Sequence, residues 1–487
     1  MISIDEYLKK VDEVIANGKY KDTWESLSQY RIPDWYKNNR FGLFVHWGCY
    51  SVPAVESEWF PRQMYQKDTK SWEWRIKNLG ENGDYRQIVE RFHPDKFNAD
   101  EWADIFYKSG AKHIMPVSEH HDGIKMYKSE LNRWNTVELT GHDYQKELHE
   151  AFDKKGLKFF CSSHRAEHLW FLNGAVENVP GSEAHGETYR DLYGPCMSFD
   201  YSKSRPGHED GIEAPEYWLK DWLASSCEMV ENNRPWGIYF DWWIYQSEFK
   251  PYIRKFLAYF YNRCDDWGYT PVVFYKNGCM MQGCAVFDVE RGQINSIAKD
   301  VWQCDTAIAK NSWGYTENNE FKSPYACAVN LIDVVSKNGC FMLNVGPKAE
   351  GTICDEEKNV LLKLGEWLNV NGEAIYSSEP FTVFGEGKKQ QNKAFNDNLE
   401  YSDRDYRFTY KPETIYAFPM SVKERTSYCI KSLRYSNEGI RYDIKNIELL
   451  GHPDIKIKWI HDNKSLKIKL SARVKTDMPL CFKISID

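Results

Sequence analysis

The 487-residue chain has no run of apolar residues approaching the ~18 that a helix needs to cross a bilayer. It has no apolar leader either: the opening MISIDEYLKKVDEVIANGKY carries a charge every few residues, unlike a secretory signal. Basic clusters are missing. Lys and Arg number 63 against 71 Asp and Glu, a net charge of −8, which speaks against nucleic acid or an anionic membrane as partner. No G-x-G-x-x-G follows the first predicted strand, and there is no G-K-[ST] loop, no H-E-x-x-H and no Cys/His cluster at zinc spacing. Nucleotide binding and metal chemistry are therefore disfavoured. The thirteen Cys are odd in number and form no C-x-x-C pair, which excludes a complete disulfide framework. Cys49, Cys161 and Cys340 lie in apolar runs and read as small hydrophobes. A reducing cytoplasm is the simplest compartment.

Aromatic residues are plentiful, at 15% with 19 Trp and 31 Tyr. Flat rings either fill a large core or grip the apolar faces of sugars. With 42% apolar and 28% charged residues the chain is globular.

Apolar strands alternate with amphipathic helices over most of the chain. FGLFVHWG (41–48), AKHIMPVSEH (111–120), LKFFCSSH (157–164), WGIYFDWW (236–243), PVVFYKN (271–277) and GCFMLNVG (339–346) read as buried strands. Helices are expected at 99–110, 142–156, 216–233, 251–268, 325–339 and 356–372. Continuous apolar strands separated by helices predict a parallel sheet covered on its outside. Without a nucleotide fingerprint, a closed barrel is favoured over an open doubly wound sheet. After about residue 376 the texture changes to short alternating segments: TIYAFPMSV, KSLRYS, YDIKNIELLG, IKIKWIHD, SLKIKLSA and CFKISI. The expectation is an α/β chain, a (β/α) TIM-like barrel over 1–375 followed by a C-terminal antiparallel β-sandwich over 376–487. The polar FGEGKKQQNKAFNDNLEYSDRDYR between them reads as a long loop.

Barrel active sites are built at the C-terminal strand ends. Here those ends carry His46, His120 with His121, His164, Asp241 and Lys276. A polar residue ending one apolar strand is often structural; five strands ending so imply a polar, concave, aromatic-walled pocket. Asp241 follows GIYF and precedes Trp242 and Trp243. Asp after a strand often caps the next helix, but Trp-Trp-Ile-Tyr is no polar-faced helix start. A carboxylate so placed can attack an anomeric carbon, and glycoside hydrolysis then needs a second carboxyl to protonate the leaving oxygen. Asp288 and Glu290 in VFDVERGQ, or Glu58 in ESEWF, are candidates. Adjacent on a strand, His120 and His121 would point to opposite faces and not share a metal ion. Neutral imidazoles bonding sugar hydroxyls fit better, and Lys276 and Asn344 read as supports.

Six blocks are similar, in order, to the α-L-fucosidases of glycoside hydrolase family 29. They are FGLFVHWGCYSVPAVESEWFPRQMY (41–65), SEHHDGIKMYKSELNRWNTVEL (118–139), GIYFDWW (237–243), WQCDTAIAKNSWGY (302–315), NGCFMLNVGPKAEGTI (338–353) and WLNVNGEAIYSSEPF (367–381). The resemblance implies a retaining exo-hydrolase that removes terminal α-L-fucose from glycans through a covalent intermediate, without a cofactor. Position by position it implies Asp241 as nucleophile and His46, Glu58, Trp59, His120 and His121 as sugar contacts. It also implies that Trp313 packs on the sugar's apolar side. The acid/base lies in a segment of variable length; Glu290 is preferred over Asp288. Two departures stand out. FCSSHRAEH replaces the Tyr-Tyr-Ser strand end of many relatives, so His164 takes over a sugar contact. Tyr239-Phe240 replaces a Trp and reshapes the wall, with Tyr239 facing the substrate. The rivals are a barrel that binds sugar without turnover and a glycosidase for an L-fucose-like sugar such as α-L-galactose. The partner expected is a fucosylated glycan, with room left for a homo-oligomer.

Overall fold

The computed structural model describes residues 2–387, 395, 397, 400–437 and 440–487. Eight parallel strands close into a barrel: β1 (Phe41–Val45), β2 (His113–Glu119), β3 (Lys158–Ser163), β4 (Gly237–Phe240), β5 (Val272–Tyr275), β6 (Val286–Asp288), β7 (Trp302–Ala307) and β8 (Gly339–Val345). Closure comes from β1, which pairs with β2 through Leu43 and Ile114 and with β8 through Phe41 and Phe341. Each predicted barrel strand and helix is present, and three of the helices start where a side chain accepts a free backbone N–H. Asn98, Asp143 and Ser323 do this before Ala99–Lys108, Tyr144–Lys154 and Pro324–Ser336.

Two strands were not legible. β6 has only three residues with Phe287 exposed between buried neighbours, and β7, WQCDTA, turns Gln303 and Asp305 into the barrel. Neither shows the apolar run that marks a buried strand.

Period-two alternation sets what faces inward. Phe44, Met115, Val117, Phe160, Tyr239, Val272, Phe274, Val286, Cys340 and Met342 form the barrel's interior core. Leu43, Val45, Ile114, Phe159, Ile238, Val273 and Leu343 pack outward with the helices. Two residues beyond an inward apolar side chain, four strands therefore deliver their next inward residue at the mouth: His46 after Phe44, Asp241 after Tyr239, Lys276 after Phe274 and Asn344 after Met342.

Beyond the helix Asp355–Asn371 the chain enters two antiparallel sheets. Five strands (Ile444–Leu449, Phe482–Ile486, Thr414–Pro419, Tyr406–Lys411 and Glu379–Glu386, in spatial order) face three (Ser427–Ile430, Leu466–Leu470 and Ile457–His461). Phe408, Ile415, Ile430, Leu466, Ile468 and Phe482 fill the space between them. The expected boundary at 375/376 falls between the last barrel helix and Glu379. Two local readings change. KSLRYS holds the turn after Ser427–Ile430 rather than a strand body, and both ends of the expected long loop are strand. Of that loop, 388–394, 396, 398 and 399 lie outside the described residues.

Candidate active site

Residues on or just past β1 to β7 line a cavity of about 270 Å³, whose wall includes His46, Glu58, Trp59, His120, His121, His164, Tyr239, Asp241, Glu290 and Trp313. A larger hollow of about 980 Å³ lies elsewhere, outside the barrel mouth, bounded by Arg133, Arg165, Arg190 and Tyr217. The smaller one gathers the histidines and carboxyls of the strand ends.

Asp241 sits one residue past β4 and does not cap a helix; the next helix starts at Phe249. Its Oδ2 meets His164 Nδ1 at 3.1 Å and His121 Nε2 at 3.5 Å, and its Oδ1 meets Lys276 Nζ at 3.1 Å. Burial alone would raise this carboxyl, but Lys276, His164 and His121 hold it well below the usual carboxylate range. The same Lys276 ammonium contacts Glu290 Oε2 at 2.5 Å, and Trp242 Nε1 donates to that oxygen at 2.6 Å. Burial raises the Glu290 carboxyl above its ordinary value, helped by Asp305 and Asp241 and opposed by Lys276. One cation thus ties together two carboxyls whose proton affinities are driven apart, the arrangement that separates an acid from a carboxylate. Lys276 was expected to be a support; it touches both groups.

Asp288 lies one layer lower. It is buried, accepts from Gln303 Nε2 at 2.9 Å and is pushed well up by burial and by Asp305, while Glu290, two residues on, reaches the cavity. Glu58 faces the cavity, yet its Oε2 accepts from Ser312 Oγ (2.9 Å), Trp313 N (2.8 Å) and Gly314 N (3.3 Å). It clamps the loop that carries Trp313. Asn344 clamps the same loop by donating to the Trp313 carbonyl at 2.7 Å, and its Oδ1 bonds His46 Nδ1 at 2.7 Å. The approach requires Gly346: a Cβ there would stand 2.8 Å from the Gly314 carbonyl carbon and the Tyr315 nitrogen.

The histidines correct one expectation. His120 and His121 stand just past β2, not on it, and both line the cavity with ring centroids 4.4 Å apart. A register shift between Val117 and Glu119 ends the strict alternation. Among the described residues, His46, His120 and His164 form one set that could hold a metal ion, and His121, His164 and Asp241 another. Burial pushes His46 and His120 well below, and His164 below, the ordinary imidazole value. They are therefore neutral rings that both donate and accept, as hydroxyl recognition requires. His120 Nδ1 has no partner among the described residues. His121 moves the other way: burial lowers it, but Glu167 and Asp241 raise it overall. Glu167, pushed up to about 7 by burial, was not foreseen; no motif marks it, and its Oε2 lies 3.4 Å from His121 Nδ1.

Tyr239 forms the floor and donates to Asp305 Oδ2 at 3.0 Å. Trp313 stands against His46, ring centroids 5.2 Å apart, with Arg291 4.8 Å over it. Trp59 packs edge-on to His121. Trp243, Asn277 and Arg291, which closely follow Asp241, Lys276 and Glu290, have left-handed backbones (φ 80, 54 and 44°). Such strain collects where surrounding structure fixes a functional turn.

Known proteins resemble this chain in sequence and in fold. A family model described as Alpha-L-fucosidase matches residues 7–373. The plasma alpha-L-fucosidase of Homo sapiens is 27% identical over 481 residues, 95% of this chain and 90% of that protein. The tissue alpha-L-fucosidase of Rattus norvegicus is 26% identical over 393 residues, 77% and 76% of the two chains. A crystal structure of Thermotoga maritima alpha-fucosidase with a mechanism-based inhibitor has a TM-score of 0.71 at 25% identity, covering 96% of this chain and 100% of that one. The chain belongs to the α-L-fucosidase family, the glycoside hydrolases that cleave fucosides.

Proposed function

We propose that the protein is a retaining exo-α-L-fucosidase in which Asp241 is the nucleophile and Glu290 the acid/base. The observation that carries this reading is the Lys276 ammonium held between the two carboxylates at 3.1 and 2.5 Å. Oxygens sharing one nitrogen at such distances suit the roughly 5–5.5 Å carboxyl separation of retaining enzymes, not the roughly 6.5–9.5 Å of inverting ones. Asp241 is kept ionised and attacks the anomeric carbon while Glu290, protonated, gives its proton to the leaving oxygen. The C–O bond to the leaving group breaks as the ester to Asp241 forms. Glu290, now ionised, takes a proton from water, whose oxygen displaces Asp241 and restores the α-configuration.

The neutral rings of His46, His120 and His164, with His121, bind the sugar hydroxyls, and Trp313, Trp59 and Tyr239 cover its apolar side. A cavity of about 270 Å³ suits one pyranose, as an exo-acting enzyme needs. The substrate is then a fucosylated glycan, and the chemistry needs no metal or cofactor. The cytoplasm remains our proposed compartment, because all thirteen cysteines are unpaired, eleven of them buried.

Hydrolysis of an aryl α-L-fucoside, followed by NMR from the first turnover, tests the reading. Initial release of α-L-fucose is expected. Initial release of the β-anomer would overturn retention, and no release would move the activity to another sugar.

A further inference from the structure

A cavity of about 270 Å³ lies below the roughly 300–1,000 Å³ of sites that enclose drug-sized ligands. Once a single sugar fills it, whatever that sugar is attached to must lie at the rim, beside the residue that protonates the leaving oxygen. Phe395 stands there. It comes from the connection between Glu379–Glu386 and Tyr406–Lys411, so the C-terminal region supplies it and no barrel loop does.

Its backbone N–H donates to the Glu290 carbonyl at 3.1 Å, and its ring lines the cavity while remaining 62% exposed. Two residues on, Asp397 is buried and bonded to the barrel. Its Oδ2 accepts from Lys322 Nζ at 2.5 Å and from the Thr306 hydroxyl, and its carbonyl accepts from Asn330 Nδ2 at 3.1 Å. Lys322 is itself fixed by the Ala307 carbonyl at 2.8 Å, so the anchor ends on β7. Phe395 has a left-handed backbone, φ 53°, which a bulky residue rarely adopts unless its surroundings impose it. A large ring is thus held in solvent, next to the acid, by contacts that begin on a barrel strand. Its flat apolar face matches the C–H face of a pyranose or an aryl group.

We propose that Phe395 forms the leaving-group subsite, a stacking platform for the sugar to which the fucosyl unit is attached. The proposal rests on the reading of Glu290 as acid/base, because that reading fixes the side on which the leaving group departs. The C-terminal region then does more than cover the barrel: it sets which glycans are cleaved efficiently.

The test compares two substrates in the full-length protein. One is α-L-fucosyl fluoride, whose leaving group has no ring; the other is the α-L-fucosylated trisaccharide that wild type cleaves fastest. Phe395→Ala is expected to lower kcat/KM on the trisaccharide roughly ten-fold more than on the fluoride, the size of one lost ring contact. Phe395→Trp should restore the ratio, and Asp397→Asn, which loosens the anchor, should move it the same way as Phe395→Ala. Equal losses on both substrates, or no loss on either, would overturn the platform. Wild type that cleaves the fluoride but no oligosaccharide would also overturn it while leaving the fucosidase reading standing. Wild type inert on both would overturn that reading and the platform with it.

Discussion

At the barrel mouth one cation is shared by two carboxylates; at the seam between barrel and sandwich one carboxylate is shared by two cations. The seam cluster is Asp333 on the helix Pro324–Ser336, Lys337 at its end and Arg407 from the strand Tyr406–Lys411. Asp333 Oδ2 meets Lys337 Nζ at 2.6 Å and Oδ1 meets Arg407 Nε at 2.5 Å, with Asp333 and Arg407 fully buried. Phe384 and Tyr401 lie against the Arg407 guanidinium. Burial would raise Asp333, yet Lys337 and Arg407 hold it below its ordinary value, which favours its ionised form. At the mouth Lys276 cannot satisfy Asp241 and Glu290 equally. Asp241, backed by two histidines, stays ionised, while Glu290 is raised. Inverting the ratio of anion to cation turns a structural clamp into a pair of groups with opposite proton affinities.

Exchanging the two centres should give opposite phenotypes. Asp241→Gly is expected to lower kcat by at least about 10⁴-fold with Tm retained, as when an enzyme loses its nucleophile. Asp333→Ala is expected to lose about 3–5 kcal/mol in denaturant unfolding, because two buried cations lose their carboxylate, while the folded fraction keeps its kcat/KM. Parallel losses of Tm and activity in both variants would erase the distinction.

Lys276→Met probes the shared cation. In the proposed roles Asp241 must be ionised, so the acidic limb of kcat/KM is expected below the usual carboxylate range; Glu290 must be protonated, so the alkaline limb is expected above the ordinary glutamate value. Removing the ammonium raises both carboxyls. Both limbs should move to higher pH, with a loss of about 10²-fold at the optimum. An unmoved profile would show that Lys276 only fills space. The smallest expected effect is that of a chelator: dialysis against EDTA should leave kcat/KM unchanged. A loss restored by added zinc would assign His46, His120 and His164 to a metal.

The barrel was legible where its strands are continuous and apolar, and the polar ends of β1, β3, β4 and β5 could be read by counting two residues past an inward side chain. That information is local, because the pleat fixes which neighbours share a face. The order of blocks from 41 to 381 also identified the family. β6 and β7 escaped because polar Asp288, Gln303 and Asp305 interrupt their buried faces and leave no continuous apolar run. Whether Asp288 or Glu290 reaches the cavity was likewise open, since both face inward and only the depth of the layer separates them.

Pattern along the chain was enough for the architecture, the strand ends and the position of Asp241 just past β4, all set by alternation and burial within a few residues. The double contact of Lys276, the side-by-side histidines past β2, the clamps of Glu58 and Asn344 on the Trp313 loop and the arrival of Phe395 from the C-terminal region depended on barrel closure. Closure brings together groups as far apart in sequence as Glu58 and Trp313, or Glu290 and Phe395, at hydrogen-bond distances. Charge and hydrogen-bond energies change over ångströms, and no one-dimensional pattern encodes separations that only the folded chain creates.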